Sequence, residues 1–146
     1  MSRKKKQSHK IVPIDVRQLA SAKIKATRPP SPGISFSLKY LQCSHAKFSF
    51  QNQNSQYLVV LLERLRDLSS LAMQEIISNR SNALRCHPID WEETTEDSFG
   101  IAGEDQLVDT PYQFSLSANE HGRVHGFFID EVFYIVWLDP DHKLYP

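Results

Sequence analysis

Hydrophobic and polar residues alternate in two regions of the chain, with the period of two that is typical of a half-buried β-strand. The first region runs from Ile34 to Tyr40, where isoleucine, phenylalanine, leucine and tyrosine alternate with serine and lysine. The second region begins at Tyr112 and continues to the end of the chain, which has room for three strands. Residues 47–50 are expected to extend the first strand or to pair with it.

Between these regions the hydrophobic residues recur at spacings of three and four, which is the pattern of an amphipathic helix. The residues concerned are Leu58, Leu61, Leu62, Leu65, Leu68, Ala72 and Ile76. Ser69 and Ser70 interrupt the pattern, and serine favours helix caps, so two antiparallel helices and one long helix are both consistent with it. The order of elements predicts an α+β fold: an antiparallel sheet of one N-terminal and three C-terminal strands, with a helical pair packed on one face.

The last two strands are predicted to form a hairpin around a two-residue loop at 130–131. This register places Ile129 opposite Val132 and Arg123 opposite Leu138. The face expected to pack on the helices then holds Val124, Phe128, Phe133, Ile135 and Trp137, while the opposite face holds Arg123, His125 and Tyr134. A slip of one residue would exchange the two faces. Replacing Phe128 by Ala is expected to cost about 3–5 kcal/mol if it is a core residue.

Residues 87–111 have a different composition, with eight acidic residues and a His-Pro dipeptide at their start. We interpret this segment as an irregular acidic surface excursion, and His87 as a loop histidine with an ordering role. Its neighbours Arg85, Asp90 and Trp91 leave a catalytic role for His87 as the alternative.

The net charge of zero conceals a division between the two ends of the chain. Residues 1–33 hold nine of the 17 Lys and Arg residues and one acid, a net charge of +8, whereas the remainder holds eight basic and 16 acidic residues, a net charge of −8. Three prolines at 29–32 favour an extended linker. We therefore expect a disordered basic tail over 1–33 and a single domain over 34–146. The tail, with Lys4, Lys5 and Lys6, either attracts RNA phosphates or serves as a solubilising segment that touches the acidic domain.

Composition excludes several classes of protein. No apolar run approaches the roughly 18 residues of a membrane helix, and no signal-peptide segment follows the basic N-terminus, so we expect a cytoplasmic protein that does not contact a membrane. Cys43 and Cys86 lack metal-binding spacing and are expected to be reduced thiols. Nucleotide, hydrolase and zinc motifs are missing, so neither a cofactor nor a bound metal is expected.

The C-terminal region concentrates residues suited to phosphodiester chemistry. They are His121, Arg123, His125, His142, Lys143 and Tyr145. Cleavage of RNA by its own 2′-hydroxyl requires a base, an acid and a cation that stabilises the phosphorane charge, and these side chains can supply all three without a metal. Tyr134 shares the predicted face of Arg123 and His125 and is a candidate RNA contact. A divalent-metal nuclease that uses Asp139 and Asp141 is an alternative, although these residues also suit a turn.

The segment from Gly122 to Tyr145, GRVHGFFIDEVFYIVWLDPDHKLY, resembles the C-terminal strands of the RelE/ParE toxin superfamily. In that pattern an arginine-containing strand, a short turn and an apolar strand precede a closing basic residue and a tyrosine. The resemblance implies an endoribonuclease that acts on ribosome-bound mRNA and is masked by a cognate antitoxin. It also implies that Arg123 stabilises the phosphate, that His142 and Tyr145 act in acid/base chemistry and base stacking, and that Lys143 is a second candidate.

A noncatalytic module on the same fold is the main alternative. In that reading the sheet recognises a protein partner or a nucleic acid, and the net charge of −8 over residues 34–146 opposes the approach of RNA.

Overall fold

The computed structural model describes residues 33–79 and 81–146. Its strands are β1 (Ser35–Ser37), β2 (His87–Pro88), β3 (Pro111–Ser115), β4 (Arg123–Ile129) and β5 (Val132–Asp139), and its helices are α1 (Ser55–Leu68), α2 (Met73–Ile77) and α3 (Glu104–Leu107), with a 3₁₀ turn at Trp91–Glu93. The predicted α+β class is confirmed. The basic tail predicted over 1–33 lies outside the described residues, apart from Gly33. In the part of the chain that is described, no helix combines the length and the hydrophobicity needed to cross a membrane.

The sheet has five strands in the order β1-β5-β4-β3-β2, and it is mixed rather than antiparallel. Strand β1 runs parallel to β5, with Ser35 opposite Val132. The long connection between these strands, which includes both main helices, allows the chain to return in the same direction. The predicted antiparallel sheet of four strands therefore needs two corrections: the parallel pairing of β1, and the short edge strand β2, in which His87 lies opposite Gln113.

The two main helices pack on one face of the sheet, as predicted. Helix α1 begins after Asn54, whose side-chain oxygen accepts a hydrogen bond from the backbone N–H of Tyr57 over 3.2 Å. The residues between Leu68 and Met73 separate α1 from α2, so the structure has two helices and not one. Buried side chains of both helices and of the sheet form this first core: Tyr57, Leu61, Leu68, Ile76, Val124, Phe133 and Ile135.

The predicted register of the β4–β5 hairpin holds near the turn and fails farther along it. Phe127 lies opposite Tyr134, but a bulge at His125/Gly126 then places Trp137 opposite His125. The extra residue is Val136, whose carbonyl oxygen accepts a hydrogen bond from the backbone N–H of Gln42 over 2.9 Å. A bulge moves the following side chains by one position. Trp137 therefore points away from the helices, and its predicted place among them is wrong.

A second core covers the opposite face of the sheet, for which the sequence predicted no packed element. It consists of Phe48, Ile89, Phe99, Phe127, Val136, Trp137 and Leu144. The indole ring of Trp137 stacks on the ring of Phe48 at 4.4 Å between centroids. Residues 47–50 form no strand, and the 87–111 segment is not merely a surface excursion, because each supplies buried side chains to this core.

Candidate functional site

A cleft of about 280 Å³ opens at the end of the sheet where β3 and β5 finish and β4 begins. Its lining residues are His87, Gln113, Arg123, Asp139, His142 and Tyr145. Strand pairing explains this assembly. His87 lies opposite Gln113 in one row of the sheet, and Arg123 lies opposite Asp139 two residues farther along β3 and β4. Three of the predicted site residues, Arg123, His142 and Tyr145, therefore meet in one cleft.

Arg123 is the cation of this cleft. Its guanidinium donates a hydrogen bond to the hydroxyl of Ser115, and within the described residues it forms no ion pair. Burial lowers the pKa of Arg123, and the nearby positive charge of Arg85 lowers it further, while Asp139 and Tyr145 act in the opposite direction. An arginine has five N–H donors. The side chain therefore retains donors for an anion that enters the cleft.

Asp139 forms the floor of the cleft and is 1% exposed. One carboxylate oxygen accepts from the backbone N–H of Lys143 over 2.8 Å, and the other accepts from the backbone N–H of Leu144 over 3.1 Å and from His125 Nε2 over 3.0 Å. Burial alone would raise the pKa of Asp139, but these hydrogen bonds, that from His125 first, bring the pKa below its usual range. Asp139 therefore holds the C-terminal turn as a buried carboxylate.

Asp139 and Asp141 do not combine with another described side chain to form a cation site. Both oxygens of Asp139 already accept hydrogen bonds, and the side chain of Asp141 is exposed. Across residues 33–79 and 81–146, no three His, Cys, Asp or Glu side chains are grouped so that they could hold a metal ion.

His125 lies behind the cleft and does not line it. The side chain is fully buried among aromatic rings, at 6.0 Å from Phe48 and 6.2 Å from Trp137 between centroids. Burial lowers the pKa of His125 in spite of the hydrogen bond to Asp139, so the imidazole is neutral near pH 7 and donates from Nε2. The structure thus places this predicted site residue beneath the site.

The C-terminal turn presents His142 and Tyr145 to the cleft. His142 is exposed and adopts a left-handed backbone conformation, with φ of 55°. The hydroxyl of Tyr145 accepts a hydrogen bond from the backbone N–H of Asp90 over 3.2 Å, and its ring meets that of His87 edge-on at 6.1 Å. Burial raises the pKa of Tyr145, so its hydroxyl remains protonated at neutral pH.

Two residues of the cleft were not predicted as site residues. His87 Nδ1 lies 2.8 Å from the carbonyl oxygen of Pro88, which requires a proton on Nδ1, so Nε2 is the acceptor for the Gln113 amide at 2.7 Å. Gln113 is 2% exposed, and its Oε1 has no partner in the described part of the chain. Only the pairing of the two-residue strand β2 with β3 brings these residues together, and so short a strand leaves no periodicity in the sequence.

The remaining predicted residues lie elsewhere. Lys143 exposes its side chain outside the cleft lining, while its carbonyl oxygen accepts from the hydroxyl of Thr95 over 2.8 Å. Tyr134 stacks on Phe127 at 5.3 Å in the second core and does not line the cleft. Lys4, Lys5 and Lys6 lie outside the described residues.

Comparisons of the chain with protein-family models, with curated proteins and with solved structures found no match.

Proposed function

We propose that this protein is a cytoplasmic, toxin-type endoribonuclease that cleaves RNA at this cleft without a metal ion. The observation that carries the proposal is the convergence of one arginine, two histidines and one tyrosine on a cleft of about 280 Å³. The resemblance of residues 122–145 to RelE/ParE toxins supports the same activity. On that basis the substrate is ribosome-bound mRNA, and the partner that controls the activity is a cognate antitoxin.

The proposed reaction is attack of the ribose 2′-hydroxyl on the adjacent phosphorus. The 2′-oxygen forms a bond to phosphorus, the bond to the 5′-oxygen breaks, and the products are a 2′,3′-cyclic phosphate and a 5′-hydroxyl end. Arg123 stabilises the negative charge of the phosphorane. His142 accepts the proton of the 2′-hydroxyl and returns a proton to the departing 5′-oxygen, because it is exposed at the cleft and forms no side-chain hydrogen bond with other described residues. The ring of Tyr145 stacks against a base of the substrate.

The charge of the chain bears on how RNA would reach this cleft. Residues 34–146 carry a net charge of −8, so the domain as a whole repels RNA, whereas residues 1–33 carry +8. In the proposal, Lys4, Lys5 and Lys6 supply nonspecific attraction to phosphates, and Arg123 supplies the cation at the reacting phosphate.

The experiment is cleavage of end-labelled single-stranded RNA by the purified full chain in the presence of a chelator. Loss of one acid/base group typically lowers a rate by about 10²–10⁴-fold, which is the loss expected for His142→Ala. Lys39→Ala is the control, since it removes an exposed side chain outside the cleft lining. The control should cleave at the wild-type rate and yield cyclic-phosphate ends. Full activity in His142→Ala, or loss of cleavage on chelation, would overturn this mechanism.

Cleavage of mRNA in cells is tested by induced expression in bacteria, with growth and new mRNA 5′ ends followed together. Growth arrest and new ends with the wild type, and neither with His142→Ala, are the expected results. Arrest without new ends would exclude mRNA cleavage as its cause.

A phosphate-binding cleft without chemistry is the second candidate. The observation that favours it is that both ring nitrogens of His87 and the hydroxyl of Tyr145 already take part in hydrogen bonds. In this case the full chain would bind RNA through Arg123 but would leave it intact, with and without ribosomes.

A further inference from the structure

Arg85 lies just before β2, and strand β3 separates β2 from the strand that carries Arg123. Arg85 follows Leu84, whose carbonyl oxygen accepts a hydrogen bond from the backbone N–H of Ser115 over 2.6 Å. Ser115 in turn lies opposite Arg123 in the β3–β4 pair. The segment that leads into β2 therefore places Arg85 at the same end of the sheet as the cleft.

The position of Arg85 is fixed by local hydrogen bonds. Its backbone N–H donates to the carbonyl oxygen of Ser81 over 3.0 Å, and its Nε donates to that of Asn82 over 2.9 Å. Arg64 holds the same segment by donating from Nη2 to the carbonyl oxygen of Ala83 over 3.0 Å. The terminal nitrogens of Arg85 make no hydrogen bond within the described residues, and Arg85 is exposed to solvent.

The two arginines are close enough to affect each other, and neither forms an ion pair within the described residues. The positive charge of Arg85 acts on Arg123, where it adds to the effect of burial in lowering the pKa. Although residues 34–146 hold 16 acidic residues, no described carboxylate forms an ion pair with Arg85 or Arg123. Two like charges repel each other, and a bound anion relieves that repulsion. Arginine is also well matched to phosphate groups.

We infer that Arg85 binds the substrate phosphate next to the one that Arg123 contacts, so that the site takes a polynucleotide rather than a single nucleotide. Arg85 does not line the cleft itself, which assigns it to a flanking phosphate and not to the reacting one. This inference rests on the proposed function, since it takes RNA as the ligand. It adds a binding residue that the C-terminal segment does not contain.

The test is fluorescence anisotropy with the full chain and 2′-O-methyl RNA, which lacks the attacking hydroxyl and so separates binding from cleavage. The probes are a single-stranded oligonucleotide and a dinucleoside monophosphate, which has one phosphate. Arg85→Gln should weaken binding of the oligonucleotide and lower the slope of log affinity against log salt by about 0.7, the value for one phosphate contact on a single strand. It should leave the affinity for the dinucleoside monophosphate unchanged.

Arg66→Gln is the control, because it removes the same charge from the exposed surface of α1. If this control matches Arg85→Gln, the effect is general electrostatics and the inference fails. Equal weakening of both probes by Arg85→Gln would mean that Arg85 shapes the cleft, and an unchanged oligonucleotide affinity would mean that it makes no contact. Failure of the wild type to bind the oligonucleotide would also overturn the inference. Binding with the expected Arg85 effect, but no cleavage of unmodified RNA, would retain the contact and reject only the proposed chemistry.

Discussion

The imidazole of His125 donates a hydrogen bond from Nε2 to the Oδ2 atom of Asp139 over 3.0 Å, and both side chains are buried. His125 belongs to the middle of the sheet, whereas Asp139 ends β5 and accepts hydrogen bonds from the backbone of Lys143 and Leu144. The pair therefore connects the aromatic core to the turn that presents His142 to the cleft. We interpret both residues as positioning residues, because His125 does not line the cleft and both carboxylate oxygens of Asp139 accept hydrogen bonds within the protein.

The burial of His125 predicts a dependence of stability on pH. An unfolded histidine gains a proton near pH 6.5, whereas burial lowers the pKa of His125 in the folded chain. The unfolded chain then binds more protons between these two pKa values. The contribution of neutral, buried His125 to the free energy of unfolding is therefore fully present above pH 6.5. It is lost as the pH falls through 6.5 toward the pKa of His125 in the folded chain.

Urea unfolding of the wild type and of His125→Gln over a series of pH values checks this prediction. Glutamine can donate to Asp139 but does not titrate, so its profile should be flatter below about pH 6.5. Parallel profiles for the two proteins would show that His125 does not control this loss of stability.

The two cores predict unequal effects of substitutions at two adjacent phenylalanines. Phe127 is fully buried in the second core, whereas Phe128 is only partly buried beside the first. Phe127→Ala should lower the free energy of unfolding by about 3–5 kcal/mol, and Phe128→Ala should lower it by less than the fully buried residue does. Chemical denaturation of both variants measures this difference, and an equal or reversed order would contradict the assignment of the two cores.

Local patterns in the sequence predicted the fold class, because the alternation at 112–118 and the leucine spacing of α1 each reflect a single buried face. They missed the second core for a physical reason. Phe48 and Phe99 lie in segments without regular structure, so no period marks them, and the bulge at Val136 interrupts the alternation that assigned Trp137 to the helices. The parallel pairing of β1 depends on contacts between distant parts of the chain, which alternation within one strand does not report.

We expect the position of Gly122, next to Arg123 of the cleft, to be sensitive to substitution. A Cβ atom on Gly122 would lie 2.0 Å from the carbonyl oxygen of Asp139 and 2.6 Å from the Cα of Pro140, and its φ of 72° already disfavours a side chain. Gly122→Ala should therefore shift the turn that carries His142 and destabilise the fold. Gly100 has nearly the same φ, 71°, but a Cβ there would meet nothing within 4 Å.

The matched variant Gly100→Ala isolates the backbone strain, which is of order 1–3 kcal/mol for a non-glycine residue in the left-handed region. Gly122→Ala should lose more stability than Gly100→Ala in thermal or urea unfolding, and it should also lose cleavage activity. Equal losses of stability would show that the turn adjusts to the added methyl group.

The candidate site was predictable only as far as it comes from one continuous segment. Arg123, His142 and Tyr145 lie within 24 residues of each other, and their chemistry was visible in the sequence. His87 and Gln113 reach the cleft through a pairing of two residues, and Asp139 serves as an internal acceptor because the turn folds back over it. These roles arise from tertiary contacts that spacing along the chain does not encode.

Two substitutions of Tyr145 separate the contribution of its ring to cleavage from that of its hydroxyl. Its hydroxyl stays protonated at neutral pH and accepts from the backbone of Asp90, which anchors the ring at the cleft. If the ring stacks on a base, Tyr145→Phe should retain kcat. Tyr145→Ala should raise KM by about 5–150-fold, since stacking of one base contributes about 1–3 kcal/mol. Steady-state cleavage of a short RNA by the three proteins separates the two parameters. A fall of about 100-fold in the kcat of Tyr145→Phe would instead identify the hydroxyl as the group that transfers a proton, because that is the loss typical of a missing acid/base group.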